Sequence, residues 1–421
     1  MTTAKALQTV LKQEDESCWR SLRTTANELR LDFTLPTGQT FRWRLVSPGE
    51  YSGIIGQRAL AMRQDLQTGD LLYKVLARGP QAVPAEDEAV LVDFFNLNVS
   101  LQQLSKQWVA DQRFRAVHPF FPGARVLRQD PLDCLFQFVC SSNNHISRIH
   151  GMVDRLCTAY GTPLTPVASA CDDSAAGQEP ATHFAFPTLE QLSKATEEEL
   201  RAAGFGYRAK FITGSVAELM AKPGGGQAWL HSLRQVPYPE ASAALCSLPG
   251  VGPKVAACVC LFSLDKHQAI PVDTHVWQLA TRYYTPNLKG KTLNPKIMVA
   301  VEQAFEQAFG SHCGWAHNTL FISELASQRH RLPPALGGTL SAAATGAGEA
   351  AVDGSSAALA DAASPLPTAL RTASILTEST DLDPVMAALP GSAPAAETSA
   401  AGKKGRARKV PSGKAKRGRL R

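Results

Sequence analysis

The sequence predicts an α+β protein with a small antiparallel sheet domain at the amino terminus, a mostly helical region after it and a disordered carboxyl-terminal tail. Three observations support this fold class. Residues 31–77 alternate apolar and polar positions with the period of half-buried strands. Beyond residue 86 the apolar spacing shifts to the helical period. After residue 332 the chain has almost no aromatic residues.

The predicted sheet begins with two alternating segments, residues 31–35 and 41–45. The turn Pro36-Thr-Gly38-Gln joins them, since glycine suits a tight reversal. Further short strands are predicted at residues 51–57, 59–64 and 71–77.

The helical pattern starts near Val90 and continues through Asp130-Pro131, where Asp can cap a helix and Pro can occupy its first position. Residues 161–182 are rich in Ala, Pro, Ser and Asp and predict a surface loop. We predict a sheet domain with helices over residues 1–118, a helical domain over residues 119–332 and a tail over residues 333–421.

Positive charge is concentrated at the end of the tail. Residues 403–421 hold ten Lys and Arg residues and no acid, whereas residues 1–332 carry a net charge of +2. This basic end predicts nuclear localisation with a nuclear import receptor as partner, nonspecific nucleic-acid attraction, or both. A merely solvated basic end is the alternative.

Composition also excludes several classes of protein. No run reaches the roughly 18 apolar residues of a membrane helix, so no membrane partner is expected. The first residues fit neither a secretory signal nor a transit peptide. The nine cysteines are an odd number without a CxxC pair, which favours reduced core thiols over disulfides, zinc or an iron-sulfur cluster. We expect no metal and no cofactor.

The segment Leu248-Pro-Gly-Val-Gly-Pro-Lys254 lies between two helical runs and predicts a helix-hairpin-helix near residues 239–264. Glycine permits close backbone approach, and a helix amino terminus attracts anions, so Gly250 and Gly252 are candidate phosphate-binding residues. An ordinary tight turn between helices is the alternative.

Lys254 and Asp273 are the candidate catalytic pair. Asp273 opens a helical run and could serve only as its N-cap. Lys254 stands at a helix start, where the positive helix end and burial should favour its neutral, nucleophilic amine. Such an amine can attack a sugar carbon and form a Schiff base, while a carboxylate stabilises the positive charge that develops on the sugar. Capping and catalysis are compatible roles for Asp273.

Several longer motifs resemble the helix-hairpin-helix DNA glycosylase superfamily and, within it, the eukaryotic 8-oxoguanine DNA glycosylase family. They are spread from about residue 20 to 330, outside the 161–182 loop and the tail. The matching segments are residues 35–44, 134–144, 206–208, 248–261, 270–273 and 314–316.

The resemblance implies base excision repair of oxidised guanine opposite cytosine in double-stranded DNA, by a monomer in the nucleus. Lys254 would be the nucleophile and Asp273 the charge stabiliser, with slower strand cleavage after base removal. Gly38 would accept the proton that oxidation places on N7, and Cys258 and Phe321 would sandwich the flipped base. The implied contacts to DNA and to the orphaned cytosine are Asn143, Arg148, Tyr207, Arg208 and His275.

Taken alone, these residues have simpler interpretations as a turn glycine, core side chains, capping residues or polar surface residues. The chain also departs from the family twice. His317 stands where the family has a glutamine that reads the Watson-Crick edge of the base, and His145 replaces an asparagine. Neutral His317 offers an acceptor but lacks the paired donor and acceptor of an amide.

Two alternative functions remain. The first is a related glycosylase for another damaged base; Lys254 argues against purely hydrolytic members, and only Cys313 follows Asp273 where other branches carry four cysteines. The second is a non-catalytic DNA-binding module, against which the presence of both Lys254 and Asp273 argues.

Overall fold

The computed structural model describes residues 19–65, 67–167 and 182–338. The strands are β1 (Arg20–Ser21), β2 (Trp43–Ser47), β3 (Glu50–Ile55), β4 (Arg58–Gln64), β5 (Leu71–Arg78), β6 (Pro163–Pro166) and β7 (His183–Phe184). The α-helices are α1 (Leu31–Thr34), α2 (Asp87–Phe94), α3 (Leu101–Trp108), α4 (Gln112–Val117), α5 (Pro131–Ser141), α6 (Ile146–Tyr160), α7 (Leu189–Leu192), α8 (Glu197–Ala202), α9 (Arg208–Met220), α10 (Gly226–Ser232), α11 (Tyr238–Cys246), α12 (Pro253–Ser263), α13 (Thr274–Tyr283), α14 (Pro295–Phe309) and α15 (Cys313–Glu324).

The strands form an antiparallel sheet in the order β2-β3-β4-β5-β6-β7, with β1 also paired to β5. The α+β class is therefore confirmed, and the strands predicted near residues 41, 51, 59 and 71 are present as β2 to β5. The predicted tail lies outside the described residues from 339 onward, and the domain limits stay predictions.

The prediction of a first strand at residues 31–35 is wrong: this segment forms the short helix α1. Its alternating apolar residues pack into two different hydrophobic cores. Leu31 and Leu35 lie four apart on one helical face and pack in the core beneath the sheet. Phe33 points into the core of the helical region. A single helical turn between two cores thus imitates the apolar alternation of a strand.

The interpretation of residues 161–182 as a loop is wrong at its start. Pro163–Pro166 forms β6, which pairs with β5 through Ala77↔Pro166 and Arg78↔Thr165. β7 then pairs with β6. The prolines at both ends of β6 argued against a strand in the sequence, because proline is tolerated only where a strand needs no N–H donor for the sheet. Residues 168–181 of the predicted loop lie outside the described residues.

The helical region is built around α5 and α12, which pack against each other, while α11 packs on α12. Every residue of α12 from Val255 to Ser263 is buried, so the helix carries no solvent-facing stripe. Asp130 caps α5 as predicted, accepting from the backbone N–H of Leu132 at 2.9 Å, with Pro131 in the first position. No helix of the described residues is long and apolar enough to cross a membrane.

Candidate active site

The predicted hairpin connects α11 to α12, and its two glycines have different structural roles. Gly250 has φ +78°, and a β-carbon there would lie 2.5 Å from the ring of Phe211, so only glycine fits. Gly252 precedes α12 at the N-cap, and open space surrounds the position where its β-carbon would be. Ser215 on α9 fastens the turn by donating to the Pro249 carbonyl at 2.8 Å. The hairpin therefore presents an accessible helix amino terminus on a rigid turn.

Lys254 lies in the first turn of α12, with its Nζ 5.8 Å from the centre of the Phe138 ring. Its charge interacts with Cys258, one helical turn further on, and with Asp273. Cys258 and Asp273 raise the pKa of Lys254 above its usual value, against the opposing effect of burial. Burial raises the pKa of the Cys258 thiol to about 11, so Asp273 carries the negative charge at neutral pH.

This electrostatic environment corrects one expectation. The sequence predicted that the helix end and burial would favour the neutral amine of Lys254, whereas in the free protein its neighbours favour the ammonium. The charges of Cys258 and Asp273 raise the pKa of Lys254 by more than burial lowers it.

Asp273 caps α13, where its carboxylate accepts from the Val276 N–H at 2.9 Å. His275 Nδ1 lies 3.9 Å from the other carboxylate oxygen. Burial alone would raise the pKa of Asp273, but His275, Lys254 and the capping N–H together hold it below its usual value. The carboxylate is therefore ionised beside Lys254 while it caps the helix, as a residue with both roles must be.

Three aromatic rings lie in series next to this pair. The Phe321 ring stacks on His317 with centroids 6.1 Å apart and meets His275 edge-on at 6.3 Å. His317 is only 4% exposed, and neither ring nitrogen has a hydrogen-bond partner of good geometry in the described part of the chain. Burial lowers the pKa of His317 to about 4, so the imidazole is neutral and its polar atoms are unpaired.

Gly38 lies between α1 and β2 with φ +87° and open space around the position of a β-carbon. No hydrogen bond joins its carbonyl to any described residue. The Phe41 ring, three residues later, contacts Phe138 edge-to-face at 5.8 Å. Since Lys254 lies over the same Phe138 ring, a short chain of contacts connects the Gly38 turn with Lys254.

The Asn143 turn follows α5, and Asn143 is exposed with φ +47°. The Tyr207 hydroxyl donates to the Ser142 carbonyl at 2.9 Å, and Arg208 donates to the carbonyls of Ser142 and Asn143. Arg208 is 2% exposed, and its guanidinium lies 4.5 Å from the centre of the Tyr207 ring. In the free protein these two residues hold the turn that carries Asn143.

Arg148 is exposed on α6. Burial of Arg208 is the largest cause of its lowered pKa, and the charge of Arg148 lowers it further. The Tyr207 ring contacts Phe211, which lies against Gly250 of the hairpin. The structure thus joins the Asn143 turn to the hairpin. His145 is exposed at the start of α6, where its side chain makes no capping bond.

Sequence reasoning missed Phe138, which lies under Lys254, and the buried glutamines near Gly38. Nothing in a pattern such as Phe136-Gln-Phe138 distinguishes a glutamine that fastens a distant loop from one that is tolerated in a helix. The only signal was a polar residue inside an otherwise apolar helix.

Comparisons with known proteins identify related DNA repair enzymes. The family model described as the 8-oxoguanine DNA glycosylase N-terminal domain matches residues 21–135. The model for the HhH-GPD superfamily base excision DNA repair protein matches residues 136–303. Among curated relatives, N-glycosylase/DNA lyase OGG1 of Arabidopsis thaliana is 49% identical over 312 residues, which cover 74% of this chain and 81% of the relative. N-glycosylase/DNA lyase of Saccharomyces cerevisiae is 33% identical, covering 72% of this chain and 85% of the relative.

Solved structures of similar proteins include complexes with DNA. Clostridium acetobutylicum 8-oxoguanine glycosylase/lyase, in complex with duplex DNA that has cytosine opposite 8-oxoguanine, is 26% identical with a TM-score of 0.59. The alignment covers 70% of this chain and 91% of that protein. MBOgg1, in complex with a low-affinity DNA ligand, is 25% identical with the same TM-score, covering 72% of this chain and 93% of that protein.

Proposed function

Since this chain belongs to the 8-oxoguanine N-glycosylase/DNA lyase family of helix-hairpin-helix repair proteins, we propose that Lys254 and Asp273 carry out its chemistry. The chain is a bifunctional DNA glycosylase and lyase of base excision repair that acts on 8-oxoguanine in DNA. The observation that supports the residue assignment best is the position of Lys254, in the first turn after the hairpin and electrostatically coupled to Asp273.

In the proposed reaction Lys254 first loses its ammonium proton. The Nζ lone pair then forms a bond to the anomeric carbon, while the electron pair of the glycosidic bond leaves with the base, which takes up a proton. Loss of a second proton from nitrogen and opening of the sugar ring, whose oxygen takes up a proton, give the Schiff base. Loss of a proton from C2′ then forms the C2′–C3′ double bond while the C3′–O bond breaks and its electron pair leaves with the 3′-phosphate, which cuts the strand. Water then hydrolyses the Schiff base and releases Lys254.

Asp273 stabilises the positive charge that the sugar acquires as the base departs. Two observations support this role. Its carboxylate stays ionised despite burial, because His275, Lys254 and the Val276 N–H all favour the charged form. The cap also fixes the carboxylate in position before DNA arrives, so no reorganisation is needed during the reaction.

The base pocket consists of Gly38, Cys258, His317 and Phe321. The flipped base stacks against Phe321 and Cys258, and the unpaired carbonyl of Gly38 accepts a hydrogen bond from the N7–H group that undamaged guanine lacks. Neutral His317 pairs one ring nitrogen with the base, which would satisfy a group that has no partner in the free protein.

The duplex is held at two places. Gly250, Gly252 and His275 contact phosphates near the lesion, since the hairpin offers an open helix amino terminus. At the opposite strand, Asn143 and Tyr207 fill the vacated stack, and Arg148 and Arg208 bind the orphaned cytosine through its acceptor edge. The internal hydrogen bonds of Arg208 then either persist or are exchanged for cytosine.

We further propose that the protein acts as a monomer in the nucleus, with the basic end at residues 403–421 bound by a nuclear import receptor. Action on DNA fits this location.

Borohydride trapping tests the proposal. The protein is incubated with a duplex containing 8-oxoguanine opposite cytosine, beside an undamaged duplex and the Lys254→Gln variant, and covalent adducts are separated on a denaturing gel. An adduct that needs both the lesion and Lys254 is expected. If other lesions trap and 8-oxoguanine does not, His317 has redirected the pocket; if nothing traps, the binding-module alternative replaces the proposal.

A further inference from the structure

Behind the Gly38 turn lies a network of buried amide side chains that the proposed reaction does not use. Gln39 is 1% exposed, Gln129 is 3% exposed and Gln137 is fully buried. Burying several amides is unfavourable unless their hydrogen bonds are satisfied. All three make hydrogen bonds here, and two of the groups that they bind, the Gln39 carbonyl and the Phe41 N–H, lie on the backbone just after Gly38.

Gln137 reaches from α5 to the turn. Its Oε1 accepts from the Phe41 N–H at 2.6 Å. Its Nε2 donates to Gln129 Oε1 at 3.2 Å and to Asp133 Oδ1 at 2.9 Å. The backbone three residues after Gly38 is therefore fixed by a side chain of the central helix.

Gln129 and Gln39 fasten the peptide directly after Gly38. Gln129 Nε2 donates to the Gln39 carbonyl at 2.8 Å. The Gln39 side chain donates to the Arg125 carbonyl at 2.8 Å and accepts from the Leu127 N–H at 3.1 Å. Two backbone groups after the turn, the Gln39 carbonyl and the Phe41 N–H, thus have side-chain partners, while no hydrogen bond joins the Gly38 carbonyl to a described residue.

The network connects two parts of the proposed site through one helix. Gln137 binds the backbone after Gly38, and the next residue, Phe138, lies under Lys254 Nζ at 5.8 Å. Adjacent residues of a helix move together, so this arrangement fixes the Gly38 carbonyl relative to Lys254. A turn that needed only to close could do so by apolar packing, without three buried amides.

We propose that Gln137, together with Gln129, is a positioning residue that sets the Gly38 carbonyl for recognition of the oxidised base. This inference rests on the proposed role of Gly38. It predicts a selective defect, because Gly38 reads the base and has no role once the base is gone. Cleavage at a preformed abasic site should therefore not depend on Gln137.

The test uses single-turnover rates of the full chain on two duplexes, one with 8-oxoguanine and one with a preformed abasic site, each opposite cytosine. Gln137→Met fills the same space but leaves the Phe41 N–H unpaired. It should slow release of 8-oxoguanine roughly ten- to hundredfold, the effect of a small misplacement, with abasic cleavage within about twofold.

Asp87→Asn is the matched control. Asp87 is fully buried and binds Arg58 and Arg78 within the sheet domain, apart from the Gly38 turn. This variant should be destabilised without any difference between the two substrates. Thermal unfolding of every variant sets an assay temperature below the onset of unfolding, and Gln129→Leu serves in place of Gln137→Met if that variant does not fold.

Gly38→Ala distinguishes the proposed role of Gly38 from the positioning role of Gln137. Alanine keeps the carbonyl but strains the φ +87° backbone that directs it. If Gly38→Ala and Gln137→Met both lose base release selectively, the inference is supported. If only Gly38→Ala does so, the positioning role is overturned while the role of Gly38 stands. If Gly38→Ala keeps normal selectivity, the proposed role of Gly38 fails, and the inference fails with it.

Discussion

Two adjacent regions of the proposed site differ in how their polar groups are satisfied. We call the region of Lys254, Asp273, Cys258 and His275 the reactive corner, and the region around His317 is the base pocket. Lys254 and Asp273 interact with each other, with Cys258 and with His275 in the free protein. The ring nitrogens of His317 have no hydrogen-bond partner of good geometry among the described residues, and the half-buried Gly38 carbonyl has none there either. Because unpaired buried polar groups are unfavourable, we propose that the corner is assembled in advance, while the base supplies the missing partner of His317.

The largest effect is predicted for the variant that removes the nucleophile from the reactive corner. Lys254→Gln should lower strand cleavage at least about a thousandfold and abolish the borohydride adduct, since no other amine is placed by the hairpin. Gel-based product analysis under single-turnover conditions measures both. Residual trapping near the wild-type level would show that another lysine or the amino terminus forms the Schiff base.

Asp273→Asn separates charge from capping. Asparagine caps helices as well as aspartate does, so Asp273→Asn should be more stable than a variant that also loses the cap. Loss of the charge should slow base release about a hundred- to thousandfold. The comparison variant Asp273→Ala should show the same loss of rate and, in addition, about 1 kcal/mol lower stability. An active Asp273→Asn enzyme would reduce Asp273 to a cap.

Acid should destabilise the protein through its buried imidazoles. Burial lowers the pKa of His317 to about 4, and burial is the largest cause of the same value for His150 and His267. Their folded pKa lies below the unfolded value of about 6.5. Stability is therefore fully present above pH 6.5 and is lost as pH falls toward 4, by up to about 3 kcal/mol for the buried His317 and by less for the half-buried His150 and His267.

Urea unfolding at pH 7.5 and pH 5 measures this loss. Asp133, whose pKa burial raises to about 6, opposes the trend, because its protonated form favours folding. A His317→Gln variant should lose less stability over this interval than the wild type. Equal losses in both proteins would show that His317 is not the buried neutral group described above.

The smallest predicted effect concerns selectivity. His317→Gln restores the paired donor and acceptor that an amide offers to the Watson-Crick edge of the base. We expect binding of the 8-oxoguanine duplex to tighten or to stay unchanged, as measured by fluorescence anisotropy with the Lys254→Gln background to prevent turnover. A large loss of binding or activity would show that the pocket is built around histidine.

Much of the site could be predicted because local sequence encodes it. The hairpin glycines, Lys254 and the Asp273 cap belong to short segments whose geometry follows from backbone conformation and helix ends. The protonation of Lys254 could not be predicted, because it depends in part on Asp273, which only folding brings close. Likewise α1 and β6 depend on two cores and a long-range pairing, and Gln137 gains its partner at Phe41 only in the fold.

The most direct test compares one variant from each region on the same two duplexes, lesion-containing and preformed abasic. Lys254→Gln should fail on both substrates, because both reactions need the amine at the sugar. Phe321→Ala, which removes the ring between His275 and His317, should slow release of 8-oxoguanine and leave abasic cleavage near normal. If Phe321→Ala impairs both substrates equally, or if Lys254→Gln still cleaves the abasic duplex, the division between a reactive corner and a base pocket is contradicted.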